Sequence, residues 1–147
     1  MTEINNRELA VTLFNKTWEY LDKARSEAED HQMVLTAHAS CYHWSQCGTA
    51  IEQARGEWQI SRVHSVLKQG SIALWHAQRS LTLCLENQIA DFDLAFAYEA
   101  IARSYQCLGQ TVERDEALRS ALRAADKIAD EDDKSYALSE IESIEVR

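Results

Sequence analysis

The chain has 147 residues, 46% of them hydrophobic and 27% charged, which suffices for one domain with its own core (residues 1–147) and excludes wholesale disorder. Its formal net charge of −9 is unevenly placed: residues 1–90 carry 10 acids against 8 Lys and Arg (−2), and residues 91–147 carry 14 against 7 (−7). An acidic half disfavours a nucleic-acid partner, whose phosphates demand cationic neutralisation. The lack of proline and the presence of only four glycines point to an all-α chain, because other fold classes spend both residues on their turns.

Asn5-Asn6-Arg7-Glu8 reads as a capping box ahead of Leu9, Leu13, Phe14, Thr17, Trp18 and Leu21, which recur at helical spacing and predict a first helix over about Asn6 to Lys23. A polar connection, Ala24 to Asp30, leads to a second helix over about His31 to Gln46. Gly48 ends it, and Thr49-Ala50-Ile51-Glu52 caps a third helix reaching about Lys68. Gln69 to Ser71 turns the chain into a fourth helix whose apolar face carries Ala73, Ala77, Leu81 and Cys84. The fifth is expected over about Phe92 to Leu108, ending at Gly109, and the sixth over about Thr111 to Ala129. The acidic cluster Asp130 to Asp133 introduces a last helix over about Asp133 to Glu145, whose first residues cap it. The expected architecture is therefore three hairpins (about 6–48, 50–88 and 92–129) and a capping helix (133–145).

Residues 54–81 recur as 95–122. Ala54, Ile60, Arg62, Leu67, Gln69 and Leu81 return 41 positions later as Ala95, Ile101, Arg103, Leu108, Gln110 and Leu122. A fixed period of this size marks helical repeat arrays, in which each helix pair buries its apolar face against its neighbours.

The second copy carries Ala102, Tyr105, Gly109, Leu118 and Ala121, and the first Ser61, His64, Lys68, Ala77 and Ser80. These positions resemble the tetratricopeptide repeat: a small residue and then an aromatic on the first helix, glycine at the turn, small residues on the second. Lys68 departs from the turn glycine, Arg114 stands where the second copy wants alanine, and the period exceeds the usual one. Thr17 and Tyr20 offer a fainter third unit, and the whole chain also resembles uncharacterised bacterial proteins of this helical-repeat type. The resemblance implies a right-handed antiparallel array of about seven helices with a concave groove lined by first helices. It places Trp58 there, with Glu99 as its counterpart and Arg62 and Arg103 one turn on.

These residues, joined by Trp18 from the first helix, form the candidate site. An aromatic beside two arginines can grip a protein or peptide segment by stacking and by pairing with carboxylates. Both arginines are expected at the surface, one above the other; the alternative is that Arg62 pairs with Glu99 or that the acidic last helix (Glu140, Glu142, Glu145) occupies the groove. The expected function is non-enzymatic binding of a protein or peptide.

Two other readings are a self-associating scaffold, since an array has exposed ends, and a small helical enzyme. The enzyme's sharpest form is the Arg25/His31 pair, which fits the spacing of HEPN-type ribonucleases, themselves helical bundles. No cofactor and no metal is expected. His38 and Cys41 share a helical face, but His43 lies about 140° round from His38, so a third ligand would have to come from His64, His76 or Cys107. Cys41, Cys47, Cys84 and Cys107 lack Cys-x-x-Cys spacing and are expected to be reduced thiols. Without a basic, apolar and small-residue leader or an apolar run of membrane length, the chain is expected in the cytoplasm with no membrane partner.

Overall fold

The computed structural model describes residues 3–144, and among them it is all helical, without a strand. Seven helices follow in order: α1 Asn6–Leu21, α2 Glu27–Cys47, α3 Ala50–Val66, α4 Gly70–Glu86, α5 Asp91–Leu108, α6 Thr111–Asp126 and α7 Glu131–Glu142. Each packs on the next, and α5 also packs on α3 and α7, so the chain is a run of helical hairpins whose first helices share one face.

The caps explain most of the boundaries. Glu8 N–H donates to Asn5 Oδ1 (3.0 Å) at the start of α1, and Glu52 Oε1 accepts from Thr49 N–H (3.2 Å) at the start of α3. The start of α2 corrects the sequence reading. Ser26 and Glu29 form a reciprocal capping box, Glu29 N–H to Ser26 Oγ at 3.2 Å and Ser26 N–H to Glu29 Oε1 at 3.1 Å, so the helix begins at Glu27 inside the stretch expected as a connection. Likewise Asp130 accepts from Asp133 N–H (2.9 Å) and α7 begins at Glu131, two residues before the expected start. Glu145 lies outside the described residues.

α3 and α5 begin 41 residues apart (Ala50, Asp91), as do α4 and α6 (Gly70, Thr111). At equivalent places Ala54 and Ala95 are buried, as are Ser61 and Ala102, and Ser80 and Ala121. Counting 44 places back from α3 sets Ala10 and Thr17 of α1 beside Ala54 and Ser61, and both are fully buried too. Small residues allow close helix approach. Three buried serines satisfy a carbonyl of the partner helix, Ser40 Oγ donating to Ala10 O (2.7 Å), Ser80 Oγ to Ala54 O (2.9 Å) and Ser61 Oγ to Ala73 O (2.8 Å), whereas Thr17 Oγ1 donates to Leu13 O of its own helix (2.8 Å). Each such buried bond contributes about 1 kcal/mol net.

Around these contacts lie three apolar clusters. Met33 and Ala37 of α2 meet Ile60 and Val63 of α3; Ala54, Cys84 and Ala97 join α3, α4 and α5; and Phe96, Leu118, Ala121, Ile128 and Ile141 join α5, α6 and α7.

Candidate functional site

The face shared by the odd-numbered helices carries two rows of equivalent positions: Phe14, Trp58 and Glu99, and one turn on, Trp18, Arg62 and Arg103. The five residues singled out in the sequence meet here. Trp18 and Trp58 have ring centroids 5.6 Å apart, the Arg62 guanidinium lies 5.3 Å from the centroid of Trp58, and Trp58 Nε1–H donates to Glu99 Oε2 (3.2 Å).

The exposure expected for the two arginines is corrected. The side chains of Arg62 and Arg103 are only 14% and 21% exposed, and both guanidinium groups close on Glu99 Oε1, at 3.0 and 2.6 Å. Glu99 is itself 1% exposed. A carboxylate this deep is costly unless paired, and it holds two cations and an indole N–H. The second acid comes from α7. Glu140 Oε2 lies 3.3 Å from Arg62 and 3.6 Å from Arg103, and Arg103 also donates to Glu140 O (3.1 Å) and Ser143 Oγ (2.9 Å). Two acids thus match two arginines, and α7 covers this end of the face.

Beside that closed end the face opens into a cavity of about 390 Å³ between α1, α3, α5 and α7. Six aromatic residues line it: Phe14, Trp18, Trp58, Phe92, Phe96 and Tyr136. They form a continuous chain of ring contacts. Phe14 meets Trp18 edge-on at 6.4 Å, Trp58 meets Phe96 edge-on at 5.6 Å, Phe96 meets Phe92 at 4.5 Å, and Tyr136 stacks on Phe96 at 5.7 Å. Buried Ala54 and Ser80 lie at the bottom. A concave, aromatic cavity of this size with a few polar groups is the usual form of a binding site.

Arg55, Asp93 and Asp133 supply the polar lining. Arg55 makes a two-pronged bond to Asp93, Nε to Oδ1 at 2.7 Å and NH2 to Oδ2 at 3.0 Å, and these bonds hold its pKa above the usual arginine value. That pair is internally neutral, and among the described residues the exposed Asp133 carboxylate has no basic side chain within ion-pair distance. The mouth is therefore net acidic, and the exposed Asp130, Glu131 and Asp132 immediately precede Asp133 in the chain. The phenol of Tyr136 has a raised pKa, first through burial and then through Glu140.

Sequence reasoning missed Phe14, Phe92, Phe96, Tyr136, Arg55, Asp93 and Asp133. A signal was present, since Phe14 with Trp18 and Phe92 with Phe96 are aromatic pairs at i, i+4, which puts each pair on one helical face.

The other candidates fall elsewhere. Arg25 is spent on the turn between α1 and α2, bonding Asp30 Oδ1 (2.6 Å) and the carbonyls of Tyr20 (2.9 Å) and Lys23 (3.1 Å), while His31 points out from the surface of α2. His38 meets His64 rather than Cys41, and among the described residues no group of three or more His, Cys, Asp or Glu side chains is arranged to hold a metal. All four cysteines are free thiols. Among the described residues no helix is long and apolar enough to cross a membrane.

No protein-family model, curated protein or solved structure matches the chain.

Proposed function

We propose that this chain is a non-enzymatic, tetratricopeptide-like binding module of the cytoplasm that recognises a segment of another protein. A large apolar or aromatic side chain enters the cavity lined by Trp18, Trp58 and Phe96, and a neighbouring lysine or arginine of the partner pairs with Asp133. The observation that carries this reading is the continuous chain of six rings from α1 to α7 around an open cavity whose unmatched charge is negative. The equivalent rows on α1, α3 and α5 support the repeat kinship.

A carboxylate-bearing partner, the choice favoured by the arginine ladder alone, would have to displace Glu140 from Arg62 and Arg103. A basic partner displaces nothing. The ribonuclease reading finds Arg25 engaged by Asp30 and two carbonyls.

Panning a random 12-residue peptide library on the immobilised protein tests the proposal, with Asp133→Lys and Trp18→Ala panned in parallel after circular dichroism shows them folded. Wild type should enrich sequences pairing an aromatic or large aliphatic residue with Lys or Arg. Asp133→Lys should lose the basic preference and Trp18→Ala the enrichment. The same sequences from all three proteins, or none from wild type, would refute the site.

A further inference from the structure

Three imidazoles from three successive helices meet on the other side of α3. His38 of α2, His64 of α3 and His76 of α4 have ring centroids 5.3, 5.4 and 6.2 Å apart, and His38 Nε2 lies 3.0 Å from His64 Nε2. Two facing nitrogens at that distance hold one hydrogen between them, so one ring donates and the other must present a lone pair. The opposite nitrogen of His64, Nδ1, is fixed by Gln69 Oε1 at 2.6 Å, and the ring is 5% exposed, so His64 cannot turn away to escape a second hydrogen.

The surroundings offer little counter-charge. On α3 the acid at hand is Glu57, already bonded to His76 Nδ1 (2.6 Å) and Arg79 Nε (3.2 Å) of α4 and approached by the thiol of Cys41 on α2. From α5, Cys107 donates its thiol to Ser65 O, next to His64. α1 contributes Tyr20 to the apolar cluster under the joint, where Met33 and Ala37 meet Ile60 and Val63.

We infer that the His38–His64 contact is a proton-sensitive clasp between the first and second helix pairs: neutral or singly protonated it holds α2 on α3, and doubly protonated it forces them apart, withdrawing the Phe14 and Trp18 wall of the aromatic cavity. The link to the cavity rests on the proposed function; the clasp does not. Both rings are held below the ordinary histidine value of 6.5, His38 by burial and then by His64 and His76 against the raising effect of Glu57, and His64 by burial and His76 against the raising effect of Gln69. The fold therefore prefers the neutral forms, the unfolded chain binds more protons below pH 6.5, and the clasp's stabilisation is complete above that pH and lost as pH falls below it.

Hydrogen exchange followed by mass spectrometry at about pH 7.5 and about pH 5.5, normalised for intrinsic rates and run with EDTA, reads the clasp directly. Protection of α2 should fall at the lower pH in wild type, by up to about tenfold for each ring kept neutral in the fold, and much less in His38→Gln, which can bond His64 but cannot take a proton. Imidazole 15N spectra should show His64 neutral at the higher pH and two coupled steps below 6.5. Unchanged protection of α2, or the same loss in His38→Gln, would overturn the clasp. So would zinc retained by the protein in native mass spectrometry without EDTA and lost from His38→Gln, because the rings would then be ligands. Opening of α2 at low pH while a peptide selected at neutral pH still binds equally well would overturn only the link to the cavity.

Discussion

Lys68 and Gly109 stand 41 residues apart at the same place, each in the left-handed conformation that ends the first helix of its pair, with φ of 63° and 73°. The hydrogen bonds match as well: Lys68 N–H to Ser65 O (3.0 Å) and Gln69 N–H to His64 O (2.8 Å) parallel Gly109 N–H to Gln106 O (3.1 Å) and Gln110 N–H to Tyr105 O (3.0 Å). The backbone needs the same turn in both copies, and only one copy uses the residue that adopts it without strain. Lys68→Gly should therefore stabilise the protein by about 0.5–1 kcal/mol, the left-handed strain of a side-chain-bearing residue less the flexibility that glycine adds to the unfolded chain. Urea unfolding checks the sign. Gly109→Lys should lower stability by a similar amount.

Glu99 is the residue on which the closed end of the groove depends. Glu99→Gln leaves Arg62 and Arg103 sharing Glu140 alone, and removing one partner of a buried charge network costs about 3–5 kcal/mol. Glu140 is partly exposed, so Glu140→Gln should cost about 1 kcal/mol or less. Equal effects of the two substitutions in chemical denaturation would contradict this ordering.

Ala77 of α4 is fully buried among close helix contacts. Ala77→Leu should overpack that interface and destabilise by about 1–3 kcal/mol. An unchanged unfolding midpoint would mean that α4 turns this side to solvent.

The thiols should differ sharply in reactivity. Burial pushes Cys41 to about 12 and Cys84 to about 11, with Glu57 and Asp93 adding to the respective shifts, whereas Cys47 is exposed at the end of α2. The thiolate is the nucleophile. A short maleimide pulse at about pH 7.5 should label Cys47 first and spare Cys41 and Cys84 until the protein is unfolded, as read by peptide mass spectrometry.

The helices were legible because their signals are local. Apolar residues three and four apart, the Thr49/Glu52 and Asn5/Glu8 caps and the glycine after Leu108 each act within one turn. The start of α2 was equally local, and Ser26-Glu27-Ala28-Glu29 carries the capping-box spacing, but the polar run around it reads as a connection. The site was half legible. Equal register in the two copies brings Arg62, Glu99 and Arg103 to one face, yet register says nothing about depth, and depth decides whether two arginines await a ligand or neutralise a buried glutamate. Glu140 was legible as an acid of the last helix able to meet the arginines, whereas the part of Tyr136 in the cavity was hidden for another reason. Ala137 and Ile141, four residues apart, announce an apolar face on α7, but spacing does not say which helices that face packs on, and only the fold brings it onto α5 and α6.

Chemical-shift mapping of a selected basic, aromatic peptide on the isotope-labelled protein tests the location of the site most directly. Aromatic 13C and indole 15N resonances of Phe14, Trp18, Trp58, Phe96 and Tyr136 should move together and saturate together, while the outward residues Leu35, Tyr42, Trp75 and Val112 stay fixed. Saturable shifts confined to those outward residues of α2, α4 and α6, with the cavity rings unmoved, would place recognition on the opposite surface and contradict the binding site argued from the six rings.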